Sequence, residues 1–227
     1  MTSVNKFERP SQLEGCSLAI GIQRTSTGGH IGLYYRPESS PVFFLHLAFH
    51  NRLRSDPIDG EYGWIECPGL SPDEAEDIGL WLAEVWARNG NRIPYGINYW
   101  RGAHFRRDGT FIPSPNGDGL TCATLVVALF EGYGLPIIDT ATWPVRLSDR
   151  KFQKLIVDTL EQDWLARKDA NHAQRIQQQK THIGHAARFR PAEVASAFSV
   201  WNRSLVKFDD ARAGGKQIVL SLKRLGL

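Results

Sequence analysis

The run GLTCATLVVALFEGYG, residues 119–134, constrains this chain more than any other stretch. It is almost wholly apolar, so it predicts a helix that other elements must cover, with Leu125, Val126, Leu129, Phe130 and Tyr133 anchoring it in the core. One cysteine, Cys122, stands at its mouth, after the turn-forming PNGDGLT. A helix N-terminus presents unpaired N–H groups and the positive end of the helix dipole. Both favour a thiolate there, so a lowered thiol pKa is expected, and the same amides can hold an oxyanion. Cys122 is therefore a candidate nucleophile, weighed against the common alternative of a small buried core residue. The amide of Cys122 is the default oxyanion donor, with the Asn98 and Asn116 side chains as weaker choices.

Strands surround this helix in the sequence. SLAIGI (17–22), HIGLYY (30–35), VFFLHLAFH (42–50) and YGWIEC (62–67) read as β-strands from their β-branched and aromatic content and short apolar runs. Residues 71–90 predict the clearest helix. Ser71 is the N-cap, Pro72 occupies the first helical position, and Glu74 completes a capping box. Ile78, Trp81, Leu82, Val85 and Trp86 form its apolar stripe. Residues 91–118 are loop-rich, LPIID is a strand or a loop, and the chain from Ser148 on is mainly helical, its last segment being helix or strand. This pattern predicts an α+β domain over 1–147 and a basic, mainly helical C-terminal extension over 148–227.

Charge supports that division. Residues 1–149 carry 12 Lys/Arg against 17 Asp/Glu, net −5, and residues 150–227 carry 15 against 7, net +8. A basic helical tail suits an acidic partner or simply a solvated face. Nucleic acid is disfavoured, because the tail's basic residues are scattered and the Trp and Tyr residues lie mainly in the acidic half. The three cysteines, Cys16, Cys67 and Cys122, form no CxxC pair and no disulfide framework. The N-terminus lacks a signal-peptide core, and no run of about 18 apolar residues occurs. A cytoplasmic protein without a transmembrane segment is expected.

A cysteine nucleophile needs a base, usually histidine. His30 opens the strand HIGLYY after two glycines, where a side chain can reach a cleft. Period-2 reading puts Val42, Phe44, His46, Ala48 and His50 on one face of the next strand. A histidine among phenylalanines needs a polar partner, because an unpaired buried imidazole is costly. His46 and His50 lie about 13 Å apart on a strand, too far to share one ion, so no metal and no cofactor is expected. HIGH at 182–185 matches a nucleotide-binding signature, but it sits in a polar helical tail rather than after a strand, and is read as coincidence.

Taken in order, GGHIGLYY, LHLA and LTCATLVVALFEGYG resemble the motifs of the circularly permuted NlpC-like papain-fold proteins. That family includes the lecithin–retinol acyltransferase group and related bacterial hydrolases. The resemblance covers roughly residues 28–135. It implies a small antiparallel sheet packed on the nucleophile helix, and a triad in which Cys122 attacks a carbonyl carbon. His30 would act as general base and then acid, and His46 would orient His30. The implied activity is a cysteine hydrolase cleaving a peptide or isopeptide amide through a thioester acyl-enzyme, with a peptide or acyl-bearing substrate. Two alternatives accompany it: an acyltransferase or lipid deacylase of the same fold, and a non-catalytic papain-fold module with a basic partner-binding tail.

Overall fold

The computed structural model describes residues 4–6, 13, 17–37, 41–58, 60–167 and 170–227. Cys16 lies outside the described residues. The fold is α+β. Six strands, β1 (Asn5–Lys6), β2 (Leu18–Gln23), β3 (His30–Tyr35), β4 (Phe43–Phe49), β5 (Arg52–Pro57) and β6 (Gly63–Glu66), form one sheet in the order β1-β6-β2-β3-β4-β5. Every neighbouring pair is antiparallel. Six helices follow: α1 (Pro72–Asn89), α2 (Cys122–Tyr133), α3 (Arg150–Arg167), α4 (Ala170–Thr181), α5 (Pro191–Val200) and α6 (Phe208–Leu225).

Strand alternation divides the sheet into two apolar faces. Ile20, Ile22, Ile31, Leu33, Leu45 and Leu47 point into the main core. Ala19, Tyr34, Phe44 and Trp64 form a second, smaller cluster on the other face. Helix α2 lies against β3 and β4 on the main face. Its first nine residues, Cys122 through Phe130, are all buried, as an apolar helix requires. Leu125 is fully enclosed, so Leu125→Ala costs roughly 2–5 kcal/mol. Helix α1 forms as its sequence dictates: Ser71 accepts from the Glu74 amide, and the Glu74 carboxylate accepts from the Ser71 amide. Ile78, Leu82 and Val85 are buried, whereas Trp86 is 44% exposed and falls off the expected stripe.

Residues 148–227 share the core of residues 1–147. Helix α5 packs on β2, β3, β6 and α2, and contributes Val194, Ala195 and Phe198 to the main cluster. Helix α6 then packs on α5, where a Cβ on Gly215 would stand 3.1 Å from the Ala192 carbonyl oxygen. The closing segment is thus a helix, because its apolar positions Ile218 and Leu222 recur at helical spacing and face α5.

Two local features depart from expectation. The segment RLRSDP forms β5, an edge strand whose charged residues suit a position with one unpaired flank. In β4 the register shifts between Leu47 and Phe49, so Ala48 is the extra residue of a bulge. The bulge breaks the expected five-residue face. Ala48 becomes exposed, and His50 turns its Nδ1 to accept the Tyr95 amide at 3.2 Å.

Candidate functional site

The hairpin joining β2 to β3 turns through Gly28 and Gly29, both in the positive-φ region that favours glycine (φ 124° and 156°). It delivers His30 to the first position of β3. His30 and His46 lie on the same side as Tyr34 and Phe44, and the Phe44 and His46 rings stack at 4.8 Å. Between them sits Gly32. A Cβ there would fall 2.8 Å from His46 Cβ and 2.5 Å from the Leu45 carbonyl oxygen, so only glycine leaves room for His46 to approach His30.

The two imidazoles are hydrogen-bonded, His30 Nε2 to His46 Nδ1 at 2.7 Å. His46 Nε2 in turn meets Asp56 Oδ2 at 3.0 Å, and Arg54 donates Nε and Nη2 to Asp56 Oδ1 at 3.1 and 2.9 Å. Burial opposes ionisation of Asp56, but the hydrogen bonds from His46 and Arg54 outweigh it and hold the pKa below its ordinary value. An ionised carboxylate only accepts. When His46 is neutral, its proton lies on Nε2 towards Asp56, its Nδ1 accepts, and His30 donates from Nε2. His30 Nδ1 is left with a free lone pair, which is what a general base needs. Burial first, and repulsion from His46 second, lower the His30 pKa to about 4, so the ring is neutral at pH 7.

Cys122 lies at the start of α2, in the main core on the opposite face of the sheet. Thr121 caps α2, accepting from the Thr124 amide at 3.1 Å, while Thr124 Oγ1 accepts from the Thr121 amide at 2.7 Å. This reciprocal cap leaves the amides of Cys122 and Ala123 outside the capping bonds. The Ile31 amide, the Tyr95 hydroxyl and the Ala123 amide stand near the sulfur, where they favour the thiolate. Proximity to the Ile31 amide puts the sulfur near the N-terminal end of β3. Cys122 and His30 line one cleft of about 210 Å³, together with Tyr95, Phe49, Phe152 and Arg188. The side-chain partner of His30 is His46 and that of the thiol is Tyr95. No hydrogen bond joins the Cys122 thiol to His30.

The expected lowered thiol pKa is corrected. Burial raises the Cys122 pKa, and those three groups and the Arg188 charge only partly offset it. The site therefore rests as neutral thiol and neutral imidazole rather than as an ion pair.

Tyr95 and Asp56 escaped the sequence reading. Tyr95 stands in the 91–118 loop, held by a bridge to Leu120: the Leu120 amide donates to the Pro94 carbonyl at 2.9 Å, and the Gly96 amide to the Leu120 carbonyl at 3.2 Å. Gly96 and Gly119 permit that approach, since a Cβ on either would meet the other segment's backbone within 2.6 Å. The Tyr95 hydroxyl lies by the start of α2, and burial and the neighbouring thiol raise its pKa well above the ordinary value. Tyr95 is thus a neutral donor beside the sulfur. Asn98 and Asn116 are not: Asn98 Nδ2 donates to Asp118 Oδ1 at 3.0 Å, and Asn116 is exposed outside the cleft.

Two further histidines have partners outside this cleft. His104 bonds the Trp100 carbonyl at 2.8 Å, and His182 lies 3.3 Å from Asp118 at the end of α4, with no strand before the HIGH run. Among the described residues, no three His, Cys, Asp or Glu side chains are grouped to hold a metal ion. No described helix is long and apolar enough to cross a membrane. Comparisons with protein-family models, with curated proteins and with solved structures gave no match.

Proposed function

We propose that this protein is a cysteine hydrolase of permuted papain-like architecture, cleaving an amide through a thioester on Cys122. One observation carries the reading: Cys122 and His30 line a single cleft, and His30 is linked through His46 to the Asp56 carboxylate. The order His30, His46, Cys122 along the chain, which resembles the permuted NlpC-like family, supports the same conclusion.

The chemistry follows from those states. As Sγ attacks the carbonyl carbon, His30 Nδ1 takes the thiol proton, so charge develops only as the new bond forms. His46, backed by Asp56, stabilises the imidazolium that results. The oxyanion would be met by the Cys122 amide and the Tyr95 hydroxyl, the donors near the sulfur. His30 then returns its proton to the leaving amine, the C–N bond breaks, and water, deprotonated by His30, releases the acyl group. The cleft of about 210 Å³ is below the roughly 300–1,000 Å³ of drug-sized sites. That volume supports a short acyl group over a lipid chain.

The test is intact-mass spectrometry after brief incubation with pools of peptide, isopeptide and ester donors, quenched in acid. A hydroxylamine-labile acyl adduct on wild type, absent from Cys122→Ala, is the expected result. The same adduct on Cys122→Ala, or none with any donor, contradicts the proposal.

A further inference from the structure

The cleft beside Cys122 has a marked charge character. Among the described residues that line it there is no carboxylate, and Arg188 is the one permanently charged side chain. Arg188 belongs to an ion cluster at the start of α3 and α5. Asp149 is fully buried and accepts from Arg146 Nε at 2.8 Å and from Arg190 Nη2 and Nε at 2.8 and 3.1 Å. Arg146 also grips Glu193 with both terminal nitrogens, at 2.6 and 3.1 Å. Arg188 reaches Asp149 only at 3.5 Å, on an oxygen that Arg190 already occupies twice. Three guanidinium groups thus share two carboxylates. One positive charge is left over, and it resides on Arg188, the most weakly paired of the three.

Arg188 is nevertheless held in place. Its guanidinium carbon lies 3.3 Å from the Phe152 ring centroid, Nη2 donates to the Thr27 carbonyl at 3.3 Å, and the side chain is only 13% exposed. It is close enough to the thiol for its charge to favour the thiolate. A fixed, largely desolvated cation with spare N–H groups is costly unless an anion completes it, and a guanidinium fork matches a carboxylate in geometry as well as charge.

We propose that Arg188 binds a carboxylate on the substrate, so that the preferred substrates are amides of short acyl groups bearing a free carboxylate near the scissile carbonyl. This rests on Cys122 being the reactive thiol of the cleft, and the experiment keeps the two claims apart. Iodoacetate and iodoacetamide are nearly the same size and differ in charge. In each case the sulfur forms a bond to the methylene carbon, iodide leaves, and the thiol proton passes to base. Rates on Cys122 are measured by peptide mapping and divided by those on N-acetylcysteine.

Wild type is expected to favour iodoacetate over iodoacetamide by about tenfold or more on that scale, from one close charge in a partly desolvated site. Arg188→Gln is expected to bring the ratio to within about twofold of the free thiol, and Arg188→Lys to keep a preference. Succinate is expected to slow iodoacetamide alkylation of wild type, and succinamide is not, a comparison that needs no variant. A wild-type ratio equal to the free thiol, an unchanged ratio in Arg188→Gln, or equal protection by succinate and succinamide overturns the carboxylate site. An iodoacetamide rate that ignores His30→Ala, with the iodoacetate preference intact, instead overturns the catalytic reading and leaves the anion site standing.

Discussion

Acidification tests the state assigned to His30. Its pKa is about 4 in the fold against 6.5 for an unperturbed imidazole, because burial and the adjacent His46 disfavour the charged ring. Between those values the unfolded chain binds a proton that the native state refuses. The stability this ring contributes is therefore fully present above pH 6.5 and is lost as the pH falls towards 4. At about 1.4 kcal/mol per pKa unit, the loss reaches roughly 2 kcal/mol by pH 5 and roughly 3 kcal/mol by pH 4. Urea unfolding of wild type and His30→Gln at pH 7, 6 and 5 isolates it, since the other titrating groups are common to both. The gap between the two proteins should shift by about 2 kcal/mol against wild type from pH 7 to pH 5. Parallel curves over that range, or a His30 ring titrating near 6.5 by NMR, would refute the buried neutral base.

Three further outcomes follow from the geometry. Asp56→Ala removes the acceptor that fixes the His46 tautomer, and the pH 7 alkylation rate of Cys122 should fall roughly tenfold or more, measured with iodoacetamide alongside a circular dichroism check of folding. Tyr95→Phe removes one oxyanion donor, and single-turnover acylation should slow about 10²–10³-fold while the iodoacetamide rate, which develops no oxyanion, changes far less. Gly32→Ala drives a Cβ to 2.5 Å from the Leu45 carbonyl oxygen and 2.8 Å from His46 Cβ; it should destabilise by about 1–3 kcal/mol in urea titration and lower Cys122 reactivity.

The parts of this site that the sequence exposes are those carried by regular local pattern. Ser71, Pro72 and Glu74 announce α1 because capping chemistry is local. Cys122 stands out because Thr121 and the apolar run mark a helix start, and His30 and His46 because they punctuate apolar strands. Asp56 was hidden for a physical reason: RLRSDP is an edge strand, so its polar residues follow solvent and electrostatics rather than alternation. Tyr95 sits in a loop and reaches the sulfur only through a bridge to Leu120. Arg188 comes to the cleft from a segment 161 residues from its Thr27 partner, a separation at which local patterning carries no signal. The bulge at Ala48 reversed the side of His50 by inserting one residue, and nothing in VFFLHLAFH marks where that residue falls.

The central claim is that His30 acts on the Cys122 thiol although that thiol rests protonated. The second-order rate constant for iodoacetamide at Cys122, compared at pH 7 between wild type and His30→Ala, tests it most directly. The account predicts a fall of about 10²-fold or more on losing the base, with Cys67, also buried, slow in both proteins. Rates within twofold of each other, or Cys67 labelling as fast as Cys122 in wild type, would contradict it.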